Sequence, residues 1–295
     1  MKTVLRTTDL AKSYGSIVAI KGISLLIQEG YVFGILGPNG SGKTTTLAVI
    51  TGIVHANSGS FNWFGEQPFP AQRKKIGSLI EIPNFYPYLS LERNLRVIAA
   101  IKGIPESDIP RVLSITRLAD RSKSHFDTLS LGMKQRLALA SVLLGDPEVL
   151  VLDEPANGLD PEGIAEVREI ILNEAAKHKT IILASHILDE VEKVCSHVGI
   201  LKEGELIAVG KVNELLAAED PVIISCHDTS KFEEELIRSG MTSSVKKDNH
   251  DLVLILKKEY TAADVNKFAF DKGHVLTKLE TRKKSLESQF LELVK

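Results

Sequence analysis

Apolar residues along the chain alternate between short strand-like runs and longer stretches with helical spacing. Residues 3 to 30 alternate β-rich runs with Gly and Asp turns, and ISLLIQEG reads as a strand ending in a turn. YVFGILG (31–37) is a continuously apolar strand that enters a glycine-rich loop, and KTTTLAVITGI behind it has helical spacing. From about 85 to 145 the pattern is helical. Ser90 is a candidate N-cap before LERNLRVIAAIKG, although Arg93 stands where a capping box would carry Glu. EVLVLDE (148–154) and TIILASH (180–186) have the unbroken apolar character of strands buried on both faces of a parallel sheet. Between them Asp160-Pro161 forms an N-cap and N1 pair for a helix with Ile164, Val167, Ile170 and Ile171 as its apolar stripe. Alternation of strands and helices predicts an α/β core.

VGILKEGELIAVG then reads as a hairpin turning at Glu203-Gly204, and Asp220-Pro221 marks a boundary. Beyond it VIISC, SKFEEELIRSG, DLVLILK and TAADVNKFAFDKG alternate strand and helix again. Two domains are expected, 1–219 with a helical insertion at about 85–145, and a small α/β appendage at 220–295. Near the end, LETRKKSLESQFLELV has amphipathic character.

At 295 residues the chain can bury a sizeable core, so a stapled mini-fold is excluded. Its 36 Lys and Arg against 38 Asp and Glu give no electrostatic reason to expect nucleic-acid binding. Cys195 and Cys226 stand alone, without a CxxC or a nearby His pair, and read as reduced thiols. MKTVLRTTDLAKSYG has no apolar signal core, and no stretch reaches the roughly 18 apolar residues that a membrane span needs. If the protein serves a membrane, another chain is expected to cross it.

Chemistry enters at GPNGSGKT. Gly37, Pro38, Asn39, Gly40, Ser41, Gly42, Lys43 and Thr44 match G-x-x-x-x-G-K-[ST] after a strand and at a helix start, with Thr45 next in the helix. Backbone N–H groups of such a loop cradle phosphates, the lysine reaches the β/γ oxygens and the hydroxyl of Thr44 can hold Mg²⁺. VLVLDEP ends a strand with paired acids, where open α/β sheets place ligands: Asp153 as the Mg²⁺ partner and Glu154 as the candidate general base. In TLSLGMKQRLALA, Ser130 is an N-cap with Gly132 behind it, and Met133, Leu137, Ala140 and Leu144 continue as a stripe. Such a helix start can bind an anion, or it can be an ordinary capped core helix.

The order of phosphate loop, capped glycine segment, VLVLDEP, NGLD and SH resembles the ATP-binding cassette (ABC) ATPases, the nucleotide-binding subunits of ABC transporters, over about residues 3 to 215. The resemblance implies the P-loop ABC-ATPase fold: an α/β, mixed sheet core, an N-terminal antiparallel β subdomain and a helical insertion. The family signature LSGGQ is LSLGM here (129–133), which keeps Ser130 and Gly132 and departs at Leu131 and Met133.

Further roles follow from the resemblance. Tyr14 in KSYG is similar to the aromatic that stacks on adenine, Asp160 in NGLD to the acid at the dimer seam, and His186 to the histidine that contacts the γ-phosphate. Glu81 occupies the position of a glutamine that touches Mg²⁺ and the attacking water and leads into the loop that senses the membrane partner. A carboxylate there keeps an oxygen acceptor, loses the amide donor and adds charge near phosphate. Glu81, LSLGM and NGLDP together resemble the ATPases of lantibiotic and bacitracin resistance exporters.

With one phosphate loop and one signature-like segment per chain, the resemblance implies a head-to-tail dimer with ATP and Mg²⁺ at its seam. It also implies a separate transmembrane permease received near Glu81, Phe85 and Tyr86. The expected location is cytoplasmic, peripheral on the inner face of the membrane. The alternative is a soluble ABC ATPase acting on ribosomes or DNA.

Overall fold

A long hairpin opens the chain, β1 (Thr3–Tyr14) and β2 (Ile17–Gln28), before the fully apolar strand β3 (Val32–Leu36). Then follow α1 (Lys43–Ile50), β4 (Ser58–Trp63), the single turn α2 (Pro70–Arg73), β5 (Ile76–Leu79), and three helices, α3 (Leu91–Lys102), α4 (Ile109–Ile115) and α5 (Leu131–Leu143). The chain continues through β6 (Val149–Asp153), α6 (Pro161–Ala176), β7 (Thr180–Ser185), α7 (Leu188–Val194) and the hairpin β8 (His197–Lys202) and β9 (Glu205–Lys211). This computed structural model describes residues 2–66, 70–80, 84–216, 221–248 and 251–282. It divides into two compact units, residues 1–212 and 213–295.

The first unit is built on a six-stranded sheet in the order β5-β6-β7-β3-β8-β9, parallel except for β9. Every residue of β3 and β7, and β6 up to Leu152, is buried, as unbroken apolar strands require. A separate antiparallel sheet, β2-β1-β4, supplies the N-terminal subdomain. One core joins the two sheets through α1, with Leu5, Ile23, Ile27, Phe33, Leu47, Trp63, Val151 and Ile182 among its members. Trp63 is 2 % exposed and its indole N–H donates to the Ile50 carbonyl at 2.8 Å, which satisfies its one polar atom at the C-terminus of α1.

Helices α3, α4 and α5 form the insertion. Ser90 caps α3 by accepting from Arg93 N, so the cap stands without a reciprocal acid. Buried Asn94 fixes the incoming loop, accepting from Tyr86 N at 2.8 Å and donating to the Tyr86, Leu89 and Ser90 carbonyls. From Leu137 to Leu143 helix α5 is buried all round, broader than the single stripe expected from its spacing. At the base of the insertion Asp108 binds Arg111 through both oxygens and accepts from Gly145 N, while Arg111 donates to the Leu143 carbonyl. That cluster ties the start of α4 to the end of α5.

The second unit begins with α8 (Val212–Leu216) at its margin and runs β10 (Val222–Cys226), α9 (Thr229–Ser239), β11 (Thr242–Asp248), β12 (Asp251–Leu256), α10 (Ala262–Asp271) and β13 (Leu276–Thr281). Its sheet, β11-β12-β10-β13, is antiparallel throughout, the βαββαβ arrangement of a ferredoxin-like fold. Val222, Ile224, Phe232, Leu236, Leu252, Leu254 and Val265 form its own core. The segment SLESQFLELV lies outside the described residues.

Candidate active site

Adjacent strands bring the sequence motifs together. Because β6, β7 and β3 are neighbours, their carboxyl ends place Glu154, His186 and the loop 37–42 side by side, in the crevice where open parallel sheets bind ligands. The resulting cleft, about 480 Å³, is lined by Tyr14, Ile17, Val18, Ala19, Asn39, Gly40, Gly42, Lys43, Thr44, Thr45, Glu154, Asn157 and His186. Of these, Ile17, Val18, Ala19 and Asn157 were not singled out by sequence. Ile17 to Ala19 open β2 beside Tyr14 and bear no motif, whereas Asn157 sits in NGLD and could have been found there.

The loop is held from two sides. Gly42 has φ +102°, and a Cβ on it would stand 2.4 Å from the Ala19 carbonyl oxygen. A Cβ on Gly37 would stand 2.3 Å from Ser41 Oγ and 2.5 Å from the Leu201 carbonyl. No other residue fits either position. The β8–β9 turn buttresses the loop, Gly204 N donating to the Ser41 carbonyl at 3.1 Å. Lys43 is 6 % exposed, and its ammonium donates to the Gly37 carbonyl at 2.8 Å and to the Pro38 carbonyl at 3.2 Å.

Across the cleft Glu154 has φ +46°, a strained left-handed conformation for a residue with a Cβ, and Glu154 N donates to the Ala184 carbonyl. Its carboxylate accepts from His186 N at 3.3 Å and lies 2.8 Å from His186 Nδ1 and 3.7 Å from Lys43 Nζ. Acid, imidazole and ammonium thus converge. Asp153 is half-buried at the end of β6, next to this cleft but not among its lining residues. Tyr14 is 48 % exposed, with Lys12 Nζ 5.1 Å from its ring centre.

Ser130, Gly132 and Asp160 lie elsewhere. They line a second cavity, about 450 Å³, with Leu131, Met133, Arg136, Gly158, Leu159, Glu162, Gly163 and Glu166. Ser130 Oγ accepts from Met133 N at 3.3 Å and caps α5; Asp160 Oδ1 accepts from Gly163 N at 2.9 Å and caps α6. Glu81 lies outside the described residues. Phe85 is buried against Phe126, ring centres 5.1 Å apart, and so is a core residue, while Tyr86 and Tyr88 are exposed.

Both cysteines are free. Burial pushes the Cys195 thiol far above its ordinary range, which keeps it protonated and inert. Among the described residues no group of three or more His, Cys, Asp or Glu could hold a metal, and no helix is long and apolar enough to cross a membrane.

A glycine-rich loop after a parallel strand, with an acid and a histidine from the two neighbouring strands, is the arrangement of a nucleotide hydrolase. The family profile "ABC transporter" matches residues 20–157. The chain is 34 % identical over 99 % of its length to an uncharacterized ABC transporter ATP-binding protein of Bacillus subtilis, covering 96 % of that protein. The chain belongs to the ABC transporter ATP-binding protein family. It is also 43 % identical over 70 % of its length to a bacitracin transport ATP-binding protein of Bacillus licheniformis, covering 69 % of that protein. Among solved structures it matches a part of an ABC transporter complex from Clostridium perfringens with a TM-score of 0.66 at 29 % identity, covering 81 % of this chain and 96 % of that one. An ABC ATP-binding protein binds ATP and couples its hydrolysis to transport, and the mixed sheet, antiparallel subdomain and helical insertion are this fold.

Proposed function

We propose that the chain is the ATP-hydrolysing subunit of an exporter of peptide antibiotics or related drugs, working through a separate membrane permease and paired head to tail with a second ATPase subunit. One observation carries the pairing: Lys43, Glu154 and His186 share one cleft, while Ser130, Gly132 and Asp160 line another. A γ-phosphate held by Lys43 therefore meets a signature segment when a second chain brings one. The relative named for bacitracin transport supports the cargo class, and that name favours transport over an action on ribosomes or DNA.

In this mechanism the N–H groups of residues 39 to 45 and the Lys43 ammonium bind the phosphates, and the Tyr14 ring stacks on the base. Lys43 exchanges its present bonds to the Gly37 and Pro38 carbonyls for phosphate oxygens. Glu154 takes the proton of the attacking water, and His186, 2.8 Å from its carboxylate, orients that carboxylate and reaches the γ-phosphate. Ser130 and Gly132 of the facing chain complete the anion site at the start of α5.

The Thr44 hydroxyl and Asp153 carboxylate are hard oxygen donors of the kind that bind Mg²⁺ through one or two side chains plus phosphate oxygens. Glu81, by the family resemblance, would add a further carboxylate oxygen for the same ion. Bound there, Mg²⁺ would neutralise charge developing on the phosphates. The domain organisation we propose is a core ATPase at 1–219 and an accessory domain at 220–295, a boundary seven residues past the 212/213 division of the compact units, with the protein on the inner face of the membrane.

The test is to recover the tagged Glu154→Gln chain from native cells with ATP present and to identify what co-purifies from the solubilised membrane fraction. A polytopic membrane protein is expected. Recovery of ribosomes, with no membrane protein, would overturn the transport reading.

A further inference from the structure

Arg136 lies in the wall of the signature cavity, about two helical turns behind the Ser130 cap in TLSLGMKQRLALA, and has been given no role so far. Its side chain is 12 % exposed, and two elements besides its own helix converge on it. Nε stands 3.3 Å from Glu166 Oε2 of α6, which is 24 % exposed, an ion pair without hydrogen-bond alignment. Nη1 donates to the Thr116 and Arg117 carbonyls at 3.2 Å each, at the end of α4. Arg117, held at φ +56°, turns its own guanidinium to Glu169 of α6 at 2.6 Å. One arginine of α5 thus ties α4 and α6 to the helix that Ser130 caps.

The consequence is geometric. Ser130 opens α5 and Asp160 opens α6, so the spacing of the two helix starts depends on what joins the helices behind them. Between those starts lies the open cavity: a Cβ on Gly132 would meet nothing within 4 Å, and a Cβ on Gly158 would meet only Leu131 Cδ2, at 3.7 Å. A guanidinium suits this task because its rigid fork can hold two carbonyls and a carboxylate at once, which an ammonium on a flexible stem does less well.

We propose that Arg136, through Glu166, is a positioning residue for the catalytic site of the facing subunit: it fixes the Ser130 segment against the Asp160 helix start so that both meet the partner's nucleotide together. It touches neither the Lys43 cleft nor the nucleotide bound there. The inference rests on the head-to-tail reading above. Loss of Arg136 leaves ATP binding by one chain intact and weakens the joining of two, so kcat falls while the affinity of a single chain for ATP does not.

The experiment uses the full chain in the Glu154→Gln background, measuring ATP affinity with a fluorescent ATP analogue and ATP-driven pairing by sedimentation. Arg136→Ala is expected to leave the first within about twofold and to weaken the second on the order of tenfold or more. Glu166→Gln keeps the side-chain shape, serves if Arg136→Ala folds poorly, and is expected to move pairing in the same direction by less. Exchanging the charges, Arg136→Glu with Glu166→Arg, is expected to recover part of the loss from Glu166→Arg alone. Pairing that is unchanged in both single variants, or ATP affinity that falls in step with pairing, would overturn the proposal. If Glu154→Gln alone fails to pair while binding ATP, the head-to-tail reading falls, and this inference with it.

Discussion

Two regions proposed to face phosphate, the loop at 37–44 and the helix start at 130–132, both offer a helix N-terminus and its free N–H groups, yet they are built by opposite means. The loop grows out of a sheet strand buried on both faces, and Gly37 and Gly42 are pressed against backbone carbonyls at 2.4 to 2.5 Å from where a Cβ would stand. The helix start has open space at Gly132 and depends on a serine cap, on Asp160 nearby and on ion pairs farther along. The first is fixed by sterics inside one chain. The second is placed by electrostatics on an insertion, and in the proposed pair it serves another chain.

The same substitution should therefore behave oppositely in the two regions. Gly42→Ala adds strain at φ +102° and a collision with Ala19, together about 2–5 kcal/mol, and is expected to abolish ATP binding. Titration with a fluorescent ATP analogue would show it, and ordinary affinity would break the steric account. Glu154→Gln removes the proposed proton acceptor and leaves the loop alone; turnover should fall on the order of 10²-fold or more with ATP affinity retained. A steady-state assay beside a binding curve checks both halves of that statement.

A middle-sized effect belongs to the insertion. Asp108→Ala removes the bonds to Arg111 and Gly145 N and should cost about 1–2 kcal/mol by denaturant unfolding. The hydrogen bond from Arg111 holds the Asp108 carboxyl below the usual carboxylate range. With the folded pKa depressed, its contribution is complete above the ordinary carboxylate value, roughly 4, and disappears as pH falls through the folded value. The wild type should lose more stability than the variant over that acidic window, and equal losses would contradict the assignment. Smallest of all, Gly132→Ala is expected to shift the stability of the single chain by no more than about 0.5 kcal/mol, if anything upward, because alanine is the better helix former and nothing obstructs its methyl. Its effect should be seen only in turnover by paired chains.

The first region was the more legible in sequence, and the reason is physical. Buried parallel strands must be apolar throughout, so YVFGILG, VLVLDE and IILASH declare themselves, and the loop between strand and helix accepts only glycine at two places. Neighbouring strand order, which brings His186 beside Glu154, rests on long-range pairing that no local pattern encodes. Ile17 and Val18 line the cleft from an exposed strand start whose residues could equally belong to any hairpin. Arg136 was invisible for a similar reason: its partners Thr116, Arg117 and Glu166 are distant in sequence, and two of them offer only carbonyls.

In the second unit the central strands VIISC and DLVLIL could be read, but its edge strands β11 and β13 could not. TSSVKKD and LTKLET carry the lysines and polar residues that protect sheet edges, so they lack an apolar run. Phe85, which the sequence left open between partner groove and core, is assigned to the core by its burial and its contact with Phe126.

The central claim is that a complete catalytic site needs a phosphate cleft from one chain and a signature segment from another. The most direct test is the mass of the full Glu154→Gln chain in solution by light scattering, with and without ATP. The account requires a single-chain mass without nucleotide and twice that mass with saturating ATP, abolished by Ser130→Arg in the same background. A chain that binds ATP fully and stays at the single-chain mass would contradict it.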